Sequence, residues 1–320
     1  MSADDPGAGV AVVIVNYNGE RLLPACLAAL AAQTLAPAEI VVADNGSRDG
    51  SLAWLRAHHP QVRALELGRN HGFAGGANRG VAATSAPWVC VLNSDATPQP
   101  GWLAALTAAP RDERTWALGS VLVSASTGLI ESAGDAYAAA GYAHKLLRER
   151  PLEDLPAQPY RVFAAPGAAP VFRRRTFDLL GGYEERFFLY YEDVDLAFRA
   201  ALAGYHALLV PSARVVHQLG ATTRSMARLR FYVARNSIWC AVRCLPELQA
   251  RTIVRRWRAE LRVNRPRRYA VAELAGRIAG TAGLPRALRE RRAIQARRVA
   301  TVDEIAALLA AGHDAPRRQR

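Results

Sequence analysis

A run of β-branched residues near the start of the chain constrains the fold most. Val10 to Val15 read Val-Ala-Val-Val-Ile-Val, the continuous apolar pattern of a strand that is buried on both faces. Apolar residues with helical spacing follow from Leu22 to Leu30, and Ile40 to Ala43 form a second apolar run. A strand, a helix and a strand in this order predict a βαβ unit, and therefore a parallel sheet.

The same alternation continues along the chain. We expect a strand at Val62–Leu67, a helix at Ala74–Ala83 and a strand at Trp88–Leu92. The C-terminal part is rich in arginine and has the pattern of amphipathic helices. The sequence therefore predicts an α/β domain at residues 1–225, with a mostly parallel central sheet flanked by helices, and a helical region at residues 226–320.

Charge is distributed unevenly between these two parts. The formal net charge is +13, and residues 224–320 hold 23 arginines against 7 acidic residues, so they carry +16 and the remainder −3. The densest stretch, residues 251–268, has eight arginines and one acid, and Trp257 lies among them. Two interpretations stay open: a solvated helix face, which could also form a homodimer contact, or a peripheral contact with an anionic membrane surface. We expect no nucleic-acid partner, because no nucleic-acid-binding motif accompanies the arginines.

The small number of cysteines and the lack of a long apolar stretch indicate the cellular compartment. It has four cysteines, none with a set of zinc ligands around it, which favours a reducing environment. No apolar stretch approaches the roughly 18 residues that a spanning helix needs. We expect a cytoplasmic protein, with a peripheral position at the inner face of the cell membrane as the alternative.

Polar residues follow the buried strands at the points where the strands end. Asn16 and Asn18 follow the first strand, Asp44 ends the second, and Asn93 and Asp95 follow a later one. The carboxyl ends of parallel strands share one edge of a sheet, where open α/β folds bind their ligands. Turn chemistry explains any one of these loops alone, but three such loops on one edge predict a ligand site.

Three further segments contribute polar groups. A Gly-rich stretch lies between Asn70 and Asn78, but it matches neither the Walker A nor the Rossmann pattern. Glu192 and Asp193 stand at a predicted helix start, where acids also act as simple helix caps. His217 follows another strand, and by itself it is more typical of a packed histidine than of a ligand.

Taken in order, these motifs resemble those of family-2 glycosyltransferases with the GT-A fold, and in particular those of bacterial rhamnosyltransferases. The resemblance extends from Val10 to about Ile238, and the ordered set is specific although each motif is weak. The motifs are Asn16-Tyr17-Asn18, Asp44-Asn45-Gly46-Ser47, Asn70-x-Gly72-Phe73-x-x-Gly76-x-Asn78, Asn93-Ser94-Asp95, Gly181-Gly182-Tyr183, Glu192-Asp193-Val194-Asp195, His217-x-x-Gly220 and Tyr232-x-x-Arg235-Asn236.

The resemblance implies transfer of a sugar, with L-rhamnose as a candidate, from a UDP- or dTDP-sugar donor to an acceptor hydroxyl. The transfer would be one displacement with inversion, and the acceptor a polyprenyl-linked or cell-surface glycan precursor. Asp193 matches the general base, and Glu192 is its neighbour on the acceptor side. The residues implied to bind the nucleotide sugar are Asn16, Asn18, Asp44, Asn70, Asn78, Asn93 and Asp95.

The resemblance also implies a divalent cation, Mg²⁺ or Mn²⁺. Asp95 is the last residue of the Asp-x-Asp motif that binds the metal, and His217 matches a later histidine that completes the site in some members. Asn93 replaces the first Asp of that motif and is a weaker ligand. The alternatives are an arginine-rich nucleic-acid-binding protein or a non-catalytic relative on the same scaffold, and the carboxylates of Asp95 and Asp193 argue against both.

Overall fold

The structure is a computed structural model that describes residues 9–138, 141–218, 220, 225–245 and 269–311. Its strands are β1 (Val10–Asn16), β2 (Glu39–Asp44), β3 (Arg63–Glu66), β4 (Trp88–Asn93), β5 (Ala96–Pro98), β6 (Thr115–Ser124), β7 (Ile130–Ser132), β8 (Asp135–Ala138), β9 (Tyr142–Lys145), β10 (Tyr160–Val162), β11 (Val171–Arg173) and β12 (His206–His217). Its helices are α1 (Leu23–Ala31), α2 (Ser51–His58), α3 (Gly72–Ala82), α4 (Trp102–Ala108), α5 (Arg174–Leu179), α6 (Glu192–Leu202), α7 (Met226–Cys244), α8 (Ala270–Ala282), α9 (Leu284–Ala296) and α10 (Val302–Ala311).

A ten-stranded sheet lies at the centre of the molecule. Eight strands follow one another in the order β10-β12-β6-β11-β4-β1-β2-β3, while β5 pairs with β12 and β7 with β6. The longer strands β1, β2, β4, β6 and β12 run parallel to one another, and the short strands β5, β7, β10 and β11 run against them. The predicted βαβ start and the mostly parallel sheet are confirmed.

The glycines of α3 serve the contact between this helix and the sheet. A Cβ atom on Gly80 would lie 2.2 Å from Cγ1 of Val13, and one on Gly76 would lie 2.9 Å from Cγ1 of Val15. Both distances are shorter than carbon atoms tolerate, so only glycine lets α3 approach β1 this closely. The Gly-rich stretch therefore places the loop before α3 beside the sheet edge by packing.

Helix α7 is held against the α/β part by buried polar contacts. Arg243, near its end, pairs with Asp195 of α6 at 3.1 Å and with Glu184 at 2.9 Å. Arg199 pairs with Asp195 from the other side at 2.7 Å, so this buried carboxylate has two cationic partners. Such a pair is costly to break because an unpaired charge would stay buried. The division at residues 225/226 stays a prediction, and these contacts cross it.

The remaining helices extend this C-terminal part. Within the described ranges, none of the helices combines the length and the apolarity needed to cross a bilayer. The arginine-rich stretch at residues 251–268 lies outside the described residues, so its predicted membrane contact stays a prediction.

Candidate active site

The ends of β1 and β2 bring two of the predicted residues into direct contact. Asn16 pairs with Asp44 in the parallel register, and its Nδ2 donates to Asp44 Oδ1 at 2.8 Å. The same Nδ2 lies 3.1 Å from the hydroxyls of Ser47 and Ser51, and the main-chain N–H of Ser47 donates to Asp44 Oδ2 at 3.0 Å. Asn16 and Asp44 are both buried. The two loops therefore form one hydrogen-bonded unit, and their predicted juxtaposition is confirmed.

Asn18 connects the same two loops through its backbone and its side chain. Its main-chain N–H donates to Ser47 Oγ at 2.8 Å, and its Oδ1 accepts from the main-chain N–H of Arg48 at 2.7 Å. Its φ angle is 54°, in the left-handed region that asparagine tolerates better than most residues. This conformation turns the chain back over the end of β2.

The two asparagines of the Gly-rich stretch contact main-chain groups. Oδ1 of Asn70 accepts from the N–H of Gly72 at 2.8 Å and shapes the turn before α3. The amide of Asn78 donates to the carbonyl of Tyr183 at 2.8 Å and accepts from its N–H at 2.9 Å. Both polar atoms of Asn78 thus hold the turn at Gly182 and Tyr183, and the nucleotide-binding role predicted for it stays a prediction.

Strand β4 supplies the third loop on this edge, and strand β12 brings a histidine to it. The main-chain N–H of Asn93 donates to the carbonyl of Ala168 at 2.9 Å. His217 pairs with Ala96 across β12 and β5, which places its Nε2 3.2 Å from Oδ1 of the buried Asp95. The predicted neighbours Asp95 and His217 are therefore adjacent.

Glu131 completes this cluster. Its Oε2 lies 2.7 Å from Nδ1 of His217, and Nζ of Lys145 pairs with its Oε1. Burial would lower the pKa of His217, but its hydrogen bonds and attraction to Asp95 and Glu131 outweigh burial and raise the pKa to about 9. Glu131 and Lys145 could not be predicted from the sequence, because β7 and β9 bring them here across long separations and neither residue belongs to a motif.

Asp95 and His217 suit a metal ion whose remaining ligands come from a bound diphosphate and water. The described residues contain no group of three or more His, Cys, Asp or Glu side chains that could hold a metal ion alone. Asp95 and His217 would therefore supply two ligands and leave the others to phosphate oxygens and water. The contact from Glu131 to Nδ1 leaves Nε2 of His217 facing Asp95, and a carboxylate behind a ligating histidine is the usual support of such a ligand. The residues present fit a divalent cation.

Glu192 and Asp193 begin helix α6 side by side. Burial, followed by the charge of Asp193, raises the pKa of Glu192 well above its usual range. Burial also raises the pKa of Asp193, against a hydrogen bond from the main-chain N–H of Val194 at 2.8 Å and the charge of Lys145. Glu192 is buried while Asp193 keeps part of its surface exposed. Asp193 is therefore the carboxylate of the pair that a substrate can reach.

Gly167 leaves the space that the Asp193 carboxylate occupies. A Cβ atom at this position would lie 2.6 Å from Oδ2 of Asp193. Asp135 adds a third acid nearby, since burial and the charge of Asp193 raise its pKa to about 7. Lys145 is the one lysine of the chain, and its charge lowers the pKa of both Asp135 and Asp193. Asp193 therefore lies within the electrostatic reach of the same lysine that pairs with Glu131.

The turn at residues 187–191, which we call the tyrosine turn, sets the start of α6. Phe188, Tyr190 and Tyr191 have φ angles of 64°, 68° and 70°, a conformation that is costly for bulky side chains. Asn236 of α7 is fully buried, and its amide donates to the carbonyls of residues 187, 189 and 190 at 2.7 to 2.9 Å. Arg235 donates to the carbonyl of residue 187 as well, at 2.9 Å. The helical region thus holds the backbone that presents Asp193.

Comparison with known proteins agrees with this geometry. The model of the family described as glycosyl transferase family 2 matches residues 11–175. An N-acetylglucosaminyl-diphospho-decaprenol L-rhamnosyltransferase of Mycobacterium tuberculosis is 33% identical over 245 residues, which cover 66% of this chain and 76% of that protein.

Solved structures show the same fold at low identity. The structure of GalNAc-T7 with UDP, GalNAc and Mn²⁺ has a TM-score of 0.63 at 19% identity and covers 86% of this chain, which spans 54% of that one. The structure of S. aureus TarS 1–349 has a TM-score of 0.55 at 15% identity, with 97% and 93% of the two chains covered. The chain therefore belongs to glycosyl transferase family 2 and has the GT-A fold, because the family match over residues 11–175, the order of the motifs and the contacts at the sheet edge agree.

Proposed function

We propose that the protein transfers a sugar, L-rhamnose first among the candidates, from a nucleoside diphosphate to a hydroxyl of a polyprenyl-linked glycan precursor, with inversion. The observation that carries the proposal is the partly exposed Asp193, which lies within the electrostatic reach of Lys145, while Lys145 pairs with the acid that supports His217. One connected set of charges thus joins a base to a site for a diphosphate.

The donor half of the site is the hydrogen-bonded unit of Asn16 and Asp44. Asp44 is buried, and a carboxylate there suits the N3–H of uracil or thymine. Asn18 and Asn70 flank this position through their turns. These contacts favour a UDP- or dTDP-sugar over a purine donor.

The diphosphate end of the donor belongs to Asp95 and His217, with Asn93 beside them. A divalent cation, Mg²⁺ or Mn²⁺, would neutralise charge on the leaving diphosphate when bound there. Asp95 contributes the carboxylate ligand, and His217 is turned toward Asp95 by Glu131. The side chains of this cluster thus fix where the diphosphate lies relative to the base.

The acceptor half of the site performs the proton transfer. The acceptor oxygen attacks the anomeric carbon of the donor as the bond from that carbon to the diphosphate oxygen breaks. Asp193 accepts the proton of the acceptor hydroxyl, and the nucleoside diphosphate leaves with the electron pair of the broken bond. Burial and the charge of Asp193 raise the pKa of Glu192, which favours its neutral form beside the base.

The acceptor class is inferred from the relative in Mycobacterium tuberculosis, whose name states a diphospho-decaprenol acceptor and an L-rhamnosyl donor group. A polyprenyl chain is held in a membrane, so the protein would work at the inner face of the cell membrane as a peripheral protein. The excess of arginine in residues 224–320 suits the anionic surface of such a membrane.

The test is transfer by the full chain with defined substrates. We expect UDP- or dTDP-sugars to raise the melting temperature in the presence of Mn²⁺, and dTDP-L-rhamnose with polyprenyl-diphosphate-linked N-acetylglucosamine to give a product heavier by one deoxyhexose. Binding of donors without transfer to any lipid-linked acceptor would instead support the non-catalytic relative. Absence of both binding and transfer would refute the proposal.

A further inference from the structure

Helix α8 has two faces of opposite kind. Toward the protein it presents glycines: a Cβ atom on Gly276 would lie 2.3 Å from the carbonyl oxygen of Phe231, and one on Gly280 would lie 2.7 Å from Cδ1 of Ile238. Both contacts are with α7. The absence of side chains at these two positions lets α8 lie directly on α7.

The opposite face of α8 is apolar and exposed. Val271, Leu274 and Ile278 recur with helical spacing along it, and they are 80%, 54% and 62% exposed. The exposed residues of this helix are Ala270, Val271, Leu274, Ala275, Ile278, Thr281 and Ala282, none of them charged. The two charged residues of the helix, Glu273 and Arg277, are only partly exposed, and Glu273 pairs with Arg230 at 3.5 Å. A helix that faced water would carry its charges on this outer face.

The net charge of the C-terminal region indicates what kind of partner can cover this face. Residues 224–320 carry 23 arginines against 7 acids, and eight of these arginines immediately precede α8 in the sequence. A second copy docking through the same face would bring two strongly basic regions together, which costs free energy. An anionic lipid surface offers both an apolar layer and opposite charge, the combination that interfacial helices bind.

We propose that α8 is the membrane-docking element of this protein and that Val271, Leu274 and Ile278 insert at the headgroup level of an anionic bilayer. The inference rests on the proposed function, because a lipid-linked acceptor is what gives such a position its use. Beyond the proposed function, it assigns membrane contact to the outer face of α8 and orients the protein with that face toward the bilayer.

The contacts of α8 connect the docking face to the segment that presents Asp193. Helix α8 lies on α7, and α7 holds the tyrosine turn through Asn236, directly before Asp193. A bilayer bound by α8 would therefore be linked through α7 to the backbone of the base. A sugar attached to a lipid diphosphate lies just outside the membrane surface, so such docking would hold the protein beside its proposed acceptor.

The first experiment measures binding of the full chain to vesicles by sedimentation. We expect binding to vesicles of equal parts phosphatidylglycerol and phosphatidylcholine, weaker binding at higher salt, and a loss of tenfold or more when Val271, Leu274 and Ile278 are all replaced by Gln. The matched control is Leu179→Gln, since Leu179 is 63% exposed but lies on α5, and this variant should bind as the unmodified protein does. Equal loss in both variants, or no loss in the triple variant, would overturn the proposal.

The second experiment tests insertion itself. The four native cysteines are all buried, so an environment-sensitive fluorophore will label Ile278→Cys selectively. We expect a blue shift when anionic vesicles are added, and none for the same label on Leu179→Cys. An unshifted label at position 278, or a dimer in solution that dissociates in the triple Gln variant, would assign the face to something other than lipid.

Membrane insertion of α8 and transfer of a sugar can be tested independently of each other. A protein that transfers sugar but does not insert α8 disproves this inference alone. A protein that inserts α8 but neither binds nor transfers a nucleotide sugar disproves the proposed function alone.

Discussion

The donor edge and the acceptor side of this site are built in different ways. The donor edge consists of loops that end neighbouring parallel strands, so Asn16 and Asp44 meet because β1 and β2 are paired in register. The acceptor side is assembled from distant segments: α6 carries Asp193, β9 carries Lys145 and α7 carries Asn236. Substitutions on the donor edge should therefore affect donor binding, and those on the acceptor side should affect the chemical step.

The largest expected effect follows replacement of the base. Asp193→Asn should lower kcat by roughly 10²-fold or more, because an amide cannot accept the acceptor proton. Donor affinity, measured by calorimetry, should stay unchanged, since Asp193 belongs to the acceptor side. Asp178→Asn, an exposed aspartate on α5, is the control and should leave kcat intact. Near-normal turnover of Asp193→Asn would remove this residue from the mechanism.

The next largest effect concerns the diphosphate end. Asp95→Asn and His217→Gln should each abolish the dependence of donor binding on Mn²⁺ and lower turnover at least about tenfold, since each would remove one of the two metal ligands that we propose among the described residues. Glu131→Gln should keep the fold and weaken the response to Mn²⁺ by about 10- to 100-fold, because it acts through His217. If EDTA leaves a folded, active enzyme, both ligand assignments fail.

The contrast between the two sides also explains what could be predicted from the sequence. The donor edge could be predicted because strand, loop and helix follow one another along the chain. The polar residues at the strand ends therefore indicate directly which edge of the sheet binds the ligand. Asp193 entered only through the resemblance to a family, since acids at a helix start are ordinarily caps.

Two contacts could not be predicted from the sequence, for the same physical reason. Glu131 lies 86 residues from His217, and Asn236, although part of a motif, lies 49 residues from the first carbonyl it contacts. Neither contact leaves a periodic pattern in the sequence. The motif that contains Asn78 likewise did not indicate that its amide bonds the backbone of Tyr183.

A smaller effect is expected where α7 supports the acceptor side. Asn236→Ala removes the donor to three carbonyls, one buried and two partly buried, which should cost about 2 kcal/mol of the free energy of unfolding. It should also lower kcat about tenfold by displacing the turn before Asp193, with donor KM unchanged. Ser237→Ala, which loses only a bond to the carbonyl of Ala234, is the control. A loss of stability without any change in kcat would show that the contact is structural only.

The smallest effect is a shift of the pH profile. Asp193 must be ionised to act as a base, and its pKa is raised by burial, so kcat should fall at a higher pH than for an ordinary aspartate as the solution is acidified. The charge of Lys145 opposes this rise. Lys145→Met should therefore move the acidic limb of the kcat profile further up in pH, and Lys145→Arg should restore it. An unmoved limb in Lys145→Met would show that the limb reports another group.

The most direct test compares a donor-edge variant with an acceptor-side variant in the same two measurements. Donor affinity and the single-turnover rate at saturating donor are measured for Asp44→Ala and Asp193→Asn against the unmodified chain. We predict that Asp44→Ala weakens donor binding by at least tenfold and leaves the saturated rate nearly unchanged, whereas Asp193→Asn keeps donor binding and loses the rate. If both variants lose the same quantity in the same proportion, the division into a donor edge and an acceptor side is wrong.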